Sequence, residues 1–256
     1  MPSQQSPSSG WVAKSSTLVE KEVEIKTVDG ACDAVLFHPP AGRFAGVILW
    51  ADSGGLRPTM RAMARRLAEK GYAVLMPNPF YRAAKAPSFE TDIDLAFSNS
   101  FGSTYAQAAV VVDAFAFINF LDSQPAVNRK LKFGTHGYGA GGALAVRTAA
   151  ALGKRIGACA SFHGSGLVTD RPDAPYLLSG RIKASMLFAI ARSDDDQDPD
   201  AKEKLQHSFA AARVPVTLEV FPQAHGWCIA DQPAYDEAGA ERAWTALLTL
   251  YERALA

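Results

Sequence analysis

Three stretches carry residue types that could do chemistry together. Leu131 to Leu144 reads LKFGTHGYGAGGAL: an apolar run mixed with small and polar residues, a glycine-dense turn from Gly137 to Gly142, then the helix formers Ala143 to Val146. Further on, Arg192-Ser193-Asp194-Asp195-Asp196 sets carboxylates behind an apolar run, and Pro222-Gln223-Ala224-His225-Gly226 sets an imidazole behind another. Strand, sharp turn and helix is the local shape of a nucleophile elbow, G-x-[Ser or Cys]-x-G, whose partners follow in the chain order nucleophile, acid, histidine. Gly137, Tyr138, Gly139, Ala140 and Gly141 fill that frame, with glycine where the attacking side chain belongs. A loop aspartate or histidine alone is ordinarily just solvated. The joint placement of acid and base behind an elbow, at the carboxyl ends of strands where open α/β sheets hold their sites, is what points to acyl chemistry.

Two other readings of these residues fail on context. Gly137, Gly139 and Gly142 also spell G-x-G-x-x-G, a phosphate-binding turn. A dinucleotide site needs an acidic residue about 20 positions on, at the end of the next strand, to hold a ribose. That strand ends in Ala160-Ser161-Phe162-His163, with no carboxylate, so no cofactor is expected. Asp194, Asp196, Asp198 and Asp200 suggest a calcium loop, but its sixth position is Pro199 rather than Gly and its twelfth is Leu205 rather than Glu. No metal is expected. Asp195 to Asp200 reads as a solvated loop, with Asp198 capping the helix after Pro199.

The elements that must position these residues alternate between strand and helix. Lys21–Val28 and Ala34–Phe37 flank an Asp29-Gly30 turn, an edge hairpin. Gly46–Trp50 is an apolar run of the kind covered on both faces of a sheet, Tyr72–Met76 is another buried strand, and Ile156–Phe162, Met186–Ala191 and Val216–Phe221 are further apolar strands. Helical spacing marks Thr59–Lys70, Thr104–Leu121, Ala201–Ala212 and Glu241–Leu255. The pattern predicts an α/β fold, one mostly parallel sheet with helices on both faces, in a single domain over residues 17–256 behind a Ser-, Pro- and Gln-rich tail at 1–16.

Composition narrows the function classes. The 256 residues carry 26 basic and 26 acidic side chains, so no net field favours nucleic acid or an anionic membrane. No apolar run approaches the roughly 20 residues of a membrane span, and the N-terminus lacks a basic and then apolar leader, so a cytoplasmic protein is expected. The cysteines, Cys32, Cys159 and Cys228, have no metal-site spacing and read as buried reduced thiols.

From about Val23 to Leu255 the chain resembles the dienelactone hydrolase family. Ala51-Asp52-Ser53-Gly54-Gly55-Leu56 is similar to that family's loop after the third strand. Pro77-Asn78-Pro79-Phe80-Tyr81-Arg82 looks like its P-D-L-Y-x-R segment, and Gly137–Gly142 like its G-Y-C-x-G-G elbow. Ala191-Arg192-Ser193-Asp194 and Ala224-His225-Gly226 match its acid and base segments. The resemblance implies an α/β-hydrolase fold and hydrolysis of a small-molecule ester or lactone by a monomer or homodimer. His225 would be the general base, Asp194 its orienting acid, and the backbone N–H groups of Ser53 and Ala140 the oxyanion hole. Asp52 stands where the family has a glutamate contacting the nucleophile. Arg82 matches an arginine used for a substrate carboxylate, and Tyr138 and Trp227 fall on the implied substrate surface. A second arginine, expected shortly after the histidine, is replaced by Trp227, Cys228 and Ile229, which favours a less anionic substrate.

Gly139 is the departure, because glycine has nothing to attack with. It is an engineered replacement of a Cys or Ser, the mark of a natural variant in which His225 activates water or a substrate proton, or the mark of a silent relative that binds a ligand or partner. Other nucleophiles near the site, Cys228, Ser53, Ser193, His136 and His163, read more simply as packing or loop residues.

Overall fold

The computed structural model describes residues 18–82, 84–86 and 107–255, so the expected tail and much of the segment after Arg82 lie outside the described residues. Eight strands form one sheet in the order β1-β2-β4-β3-β5-β6-β7-β8. The edge hairpin is β1 (Val19–Thr27) and β2 (Gly30–His38), paired antiparallel with Thr27 opposite Gly30. β2 runs antiparallel to β4 (Tyr72–Pro77), and β3 (Ala45–Trp50), β5 (Phe133–Tyr138), β6 (Ile156–Phe162), β7 (Ser185–Ala191) and β8 (Val216–Phe221) complete the parallel portion. The connection after β3 runs to β4 on one side while β5 pairs on the other, so β3 and β5 flank the point where the winding reverses. Loops leaving there diverge and open a crevice.

Helices cover both faces. α1 (Pro58–Glu69) and α6 (Glu237–Ala254) pack on one, through Met60, Leu67, Leu247 and Tyr251. α2 (Gln107–Ser123), α3 (Ala140–Leu152) and α5 (Pro199–Ala211) pack on the other, through Phe117, Leu144 and Phe209. β6 shows how one strand serves both: Ile156 and Cys159 face the second core while Ala158, Ala160 and Phe162 face the first. No described helix is long and apolar enough to cross a membrane.

Several boundaries move for identifiable reasons. The helix expected at Thr104–Leu121 is described from Gln107 and runs to Ser123; Thr104 to Ala106 lie outside the described residues. The last helix starts four residues before the expected Glu241, because Asp236 caps it by accepting the Gly239 N–H at 2.6 Å. The stretch expected as a solvated loop, Asp195 to Asp200, is not one. Arg192–Gln197 forms a short helix, α4, and Asp195 is buried against Lys202 at 2.9 Å and Arg192 at 3.5 Å. Asp198 occupies the cap position of α5 but its side chain makes no capping bond.

His136 lies wholly inside the core, with Nδ1 2.8 Å from the Tyr251 hydroxyl. Burial lowers its pKa from 6.5 to about 3. The folded value lies below the unfolded one, so its contribution to stability is whole above pH 6.5 and is lost as pH falls towards about 3. Urea unfolding across this window is expected to weaken with acid, and His136→Gln to flatten the slope by up to one proton's worth. An unchanged slope would mean that the folded protein already protonates His136.

Candidate active site

Gly139 sits alone between β5 and α3 with φ 53° and ψ −123°, a conformation side chains rarely adopt. Four backbone-anchored hydrogen bonds pin it. Its N–H is shared between the Phe162 carbonyl and His163 Nδ1, each at 3.1 Å. Its carbonyl accepts the N–H groups of Gly142 and Ser165, each at 3.0 Å. The surrounding glycines have a different cause. A Cβ at Gly137 would collide with the backbone of Gly141, one at Gly141 with the carbonyls of Trp50 and Ala51, and one at Gly142 with Ser161 Oγ. The turn is therefore an elbow packed into the sheet. At Gly139 itself a Cβ would be in ordinary contact, 3.6 Å from Asp52 Cβ, 3.8 Å from His225 Nε2 and 3.9 Å from His163 Nδ1.

His225 follows β8, and its Nδ1 lies 2.8 and 3.0 Å from the two carboxylate oxygens of Asp194, at the start of α4 behind β7. A carboxylate can only accept, so Nδ1 carries the proton and Nε2 offers its lone pair on the side of Gly139. The His225 N–H donates to Ser193 Oγ at 2.9 Å, giving that serine a positioning place beside the dyad. Both members are partly open to solvent, His225 at 43% and Asp194 at 29% exposure.

His163 directly follows β6 and holds a left-handed φ of 38° despite its side chain. It is a packed residue, as read from sequence, but packed into this site. Since Nδ1 accepts the Gly139 N–H, the ring's own proton is on Nε2. Burial, with the charge on His225 as a lesser cause, lowers its pKa to about 3. Its ring stands edge-on to His225, centroids 4.8 Å apart, and to Trp227 at 5.2 Å. Trp227 was expected on the substrate surface and is not there. It is fully buried, stacked on Phe221 at 5.0 Å, and braces His163 from behind. Tyr138 is likewise buried and stacked on Phe162 at 5.1 Å, lining a cavity of about 190 Å³ with Met63, Cys228 and Trp244 between α1 and α6. His225 is not among that cavity's walls. Cys228 is a buried thiol in the wall of that cavity, and burial pushes its pKa up.

The loop after β3 brings Asp52 and Ser53 to the elbow. Asp52 Cβ is beside Gly139, but the carboxylate turns away and forks onto Arg57, Nη1 to Oδ1 and Nη2 to Oδ2 at 3.0 Å, while Oδ1 also accepts the Gly54 N–H at 3.1 Å. The expected contact with a nucleophile is thus replaced by an internal ion pair. Arg57 forks a second time onto Asp231, at 2.7 and 2.8 Å, and so ties the β3 loop to the segment after His225. Burial works against the Arg57 charge, and the hydrogen bonds it donates to Asp231 and Asp52 outweigh it and raise its pKa. Ala140 is the first residue of α3, where an N–H has no helical partner. Ser53 precedes the two N–H groups, of Gly54 and Gly55, that the turn uses to bond Asp52.

Arg82 was expected to receive a substrate carboxylate. It is instead held by Asp29 at 2.7 Å and by Asp113 at 2.8 Å, and lies over the Tyr81 ring at 4.5 Å. Two carboxylates already satisfy its guanidinium. Among the described residues no group of three or more His, Cys, Asp or Glu is arranged to hold a metal. Arg57, Asp231 and the part played by His163 were missed from sequence; the 174-residue separation of Arg57 and Asp231 leaves no local signal. Arg57→Ala is expected to cost about 3 kcal/mol or more in urea unfolding, because it strands the buried Asp52 charge. Arg57→Lys should recover only part, since an ammonium cannot fork onto two carboxylates. A loss under about 1 kcal/mol would contradict the pairing.

Comparison with known proteins places this geometry. Residues 32–255 match the dienelactone hydrolase family. A candidate carboxymethylenebutenolidase of Synechocystis sp. is 25% identical over 222 residues, covering 84% of this chain and 88% of that protein. The crystal structure of a candidate dienelactone hydrolase from Klebsiella pneumoniae superposes with a TM-score of 0.81 at 19% identity, over 92% of this chain and 98% of that one. A dienelactone hydrolase-like promiscuous phosphotriesterase from metagenomic libraries gives 0.77 at 22% identity, over 93% and 99%. At these identities the two structures speak for the fold alone. The family match, over nearly all of the sequence, settles the lineage: the chain belongs to the dienelactone hydrolase family.

Proposed function

We propose that the chain hydrolyses a small-molecule ester or lactone by activating water rather than by forming an acyl-enzyme. The observation that carries this is the His225–Asp194 pair, with Nδ1 held by the carboxylate and Nε2 3.8 Å from where a Gly139 side chain would begin. In this reading a water bound over Gly139 gives its proton to Nε2 and attacks the acyl carbon. The N–H groups of Ser53 and Ala140 receive the developing oxyanion, and His225 returns the proton to the leaving oxygen. Arg82 and Asp52 take no part, because each is already paired within the protein. With Arg82 paired, an uncharged acyl group suits the site better than a carboxylate-bearing one.

Gly139 also supports a second reading, a silent relative that binds a small ligand in the same crevice. Turnover separates the two. With short p-nitrophenyl esters and a panel of small lactones, the protein as it stands should show steady turnover without a burst, and His225→Ala should lower it on the order of 10²-fold. Gly139→Cys and Gly139→Ser should add a burst of acyl-enzyme. They should also cost about 1–3 kcal/mol of stability, because a side chain then occupies the positive-φ position. Folded proteins inert in all three forms would sink the hydrolase reading and leave the ligand-binding one.

A further inference from the structure

We infer that the cavity between α1 and α6 is a binding site, separate from the His225 crevice, for a small uncharged molecule made of one aromatic ring and one hydrogen-bond-accepting oxygen.

Size sets the first limit. The cavity holds about 190 Å³. An apolar protein cavity of about 150 Å³ takes up benzene, whereas pockets for drug-sized ligands begin at roughly 300 Å³. There is room here for a single ring and a short substituent.

The walls set the chemistry. Met63, Phe162, Ala243 and Trp244 present apolar, aromatic and thioether surface, against which an aromatic ring packs well. Arg66 and Glu241 also line the cavity but offer no free charge. The guanidinium forks onto the carboxylate at 2.7 and 2.6 Å and lies over the Trp244 ring at 4.3 Å. The two side chains are 42% and 51% exposed, so this pair forms the solvent-facing rim. A charged ligand would meet a pair that is already neutralised and would pay its own desolvation inside, so the site favours an uncharged one.

A polar group inside is left to be used. Tyr138 is 4% exposed, and among the described residues its hydroxyl has no hydrogen-bond partner. That oxygen is not one of the sealed, unpaired atoms of the core, such as Trp227 Nε1, so it keeps open surface in the cavity that its residue lines. Cys228 lies in the same wall. Burial pushes the pKa of both groups up, so both keep their protons and each can donate. A buried tyrosine hydroxyl ordinarily has a partner, and an accepting oxygen on the ligand supplies it.

The site lies behind the elbow. Tyr138 immediately precedes Gly139, and Phe162, on which it stacks, lends its carbonyl to the Gly139 N–H. An occupant rests against both residues while His225 stays outside the walls.

Titration calorimetry of the full-length protein tests this, with acetophenone as the probe, toluene as a ring without an oxygen and benzoate as a charged ring. Acetophenone should bind saturably, one per chain, and about tenfold more tightly than toluene, the advantage expected of one hydrogen bond to a buried donor. Benzoate should bind more weakly than acetophenone. Tyr138→Phe should weaken acetophenone about tenfold and leave toluene unchanged. Ala240→Phe, from the half-buried part of the α6 wall, fills the space and should abolish binding of both. His225→Ala should bind acetophenone as the parent protein does. No saturable binding by folded protein, the cavity holding solvent alone, would overturn the site. So would binding that survives Ala240→Phe, binding lost in His225→Ala, benzoate binding as tightly as acetophenone, or an acetophenone affinity indifferent to Tyr138→Phe. If Tyr138→Phe fails to fold, Ala240→Phe and the ratio of acetophenone to toluene affinity decide. None of these titrations depends on turnover, so a negative result leaves the proposed hydrolysis standing.

Discussion

The close approach of α3 to the ends of β3, β5 and β6 is the constraint on which the site depends. Glycine at 137, 141 and 142 lets backbone meet backbone where any Cβ would collide with a carbonyl or with Ser161. That approach drives the chain through the positive-φ turn at Gly139 and points the first N–H groups of α3 out of the sheet's carboxyl edge. The turn is then fixed by bonds to Phe162, His163, Gly142 and Ser165, none of which involves a side chain at 139. The elbow is thus built by its neighbours, and its shape is indifferent to whether a nucleophile is present.

Charge pairing supplies the second layer. Arg57, beside Pro58 at the start of α1, reaches Asp52 in the β3 loop and Asp231 beyond His225. One guanidinium therefore couples the turn that carries Ser53 to the segment that carries the histidine. The same economy explains the ionisable groups that hold no ligand. Arg82 closes on Asp29 and Asp113, and Asp195 on Lys202, each binding one loop at the carboxyl edge to another element. These are partners within the fold.

Much of this was legible from sequence. Apolar runs identified β3, β4, β6, β7 and β8, the glycine-rich strand-turn-helix stretch identified β5, and the order elbow, acid, base favoured acyl chemistry over a phosphate cradle. Asp194 and His225 meet as that order requires. What failed to show was anything fixed by side-chain direction across long separations. Arg82 and Asp52 have the residue types of ligand-binding groups, and only the fold reveals that Asp113 and Arg57 reach them first. Trp227 sits two positions from His225 in the chain yet is turned inwards onto Phe221. Asp195 belongs to an acidic run that reads as solvated until Lys202, one helical segment later, closes over it. His163 needed a left-handed φ that sequence gives no reason to expect of a histidine.

The geometry of His225 supports the use proposed for the arrangement. A histidine kept for stability is typically like His136, fully enclosed, neutral and bonded inside the core. His225 is largely open, and its ties are to Asp194, itself partly exposed, and to Ser193. An exposed pair of this kind is worth at most about 1 kcal/mol to the fold. The same pair nonetheless fixes the ring's tautomer and direction, with its free nitrogen facing the one position at the elbow where a side chain would fit without collision. Orientation bought with so little stability is of use to a reacting proton and of little use to folding. Glycine at 139 supplies no side chain for attack, and His225 Nε2 lies 3.8 Å from where one would begin.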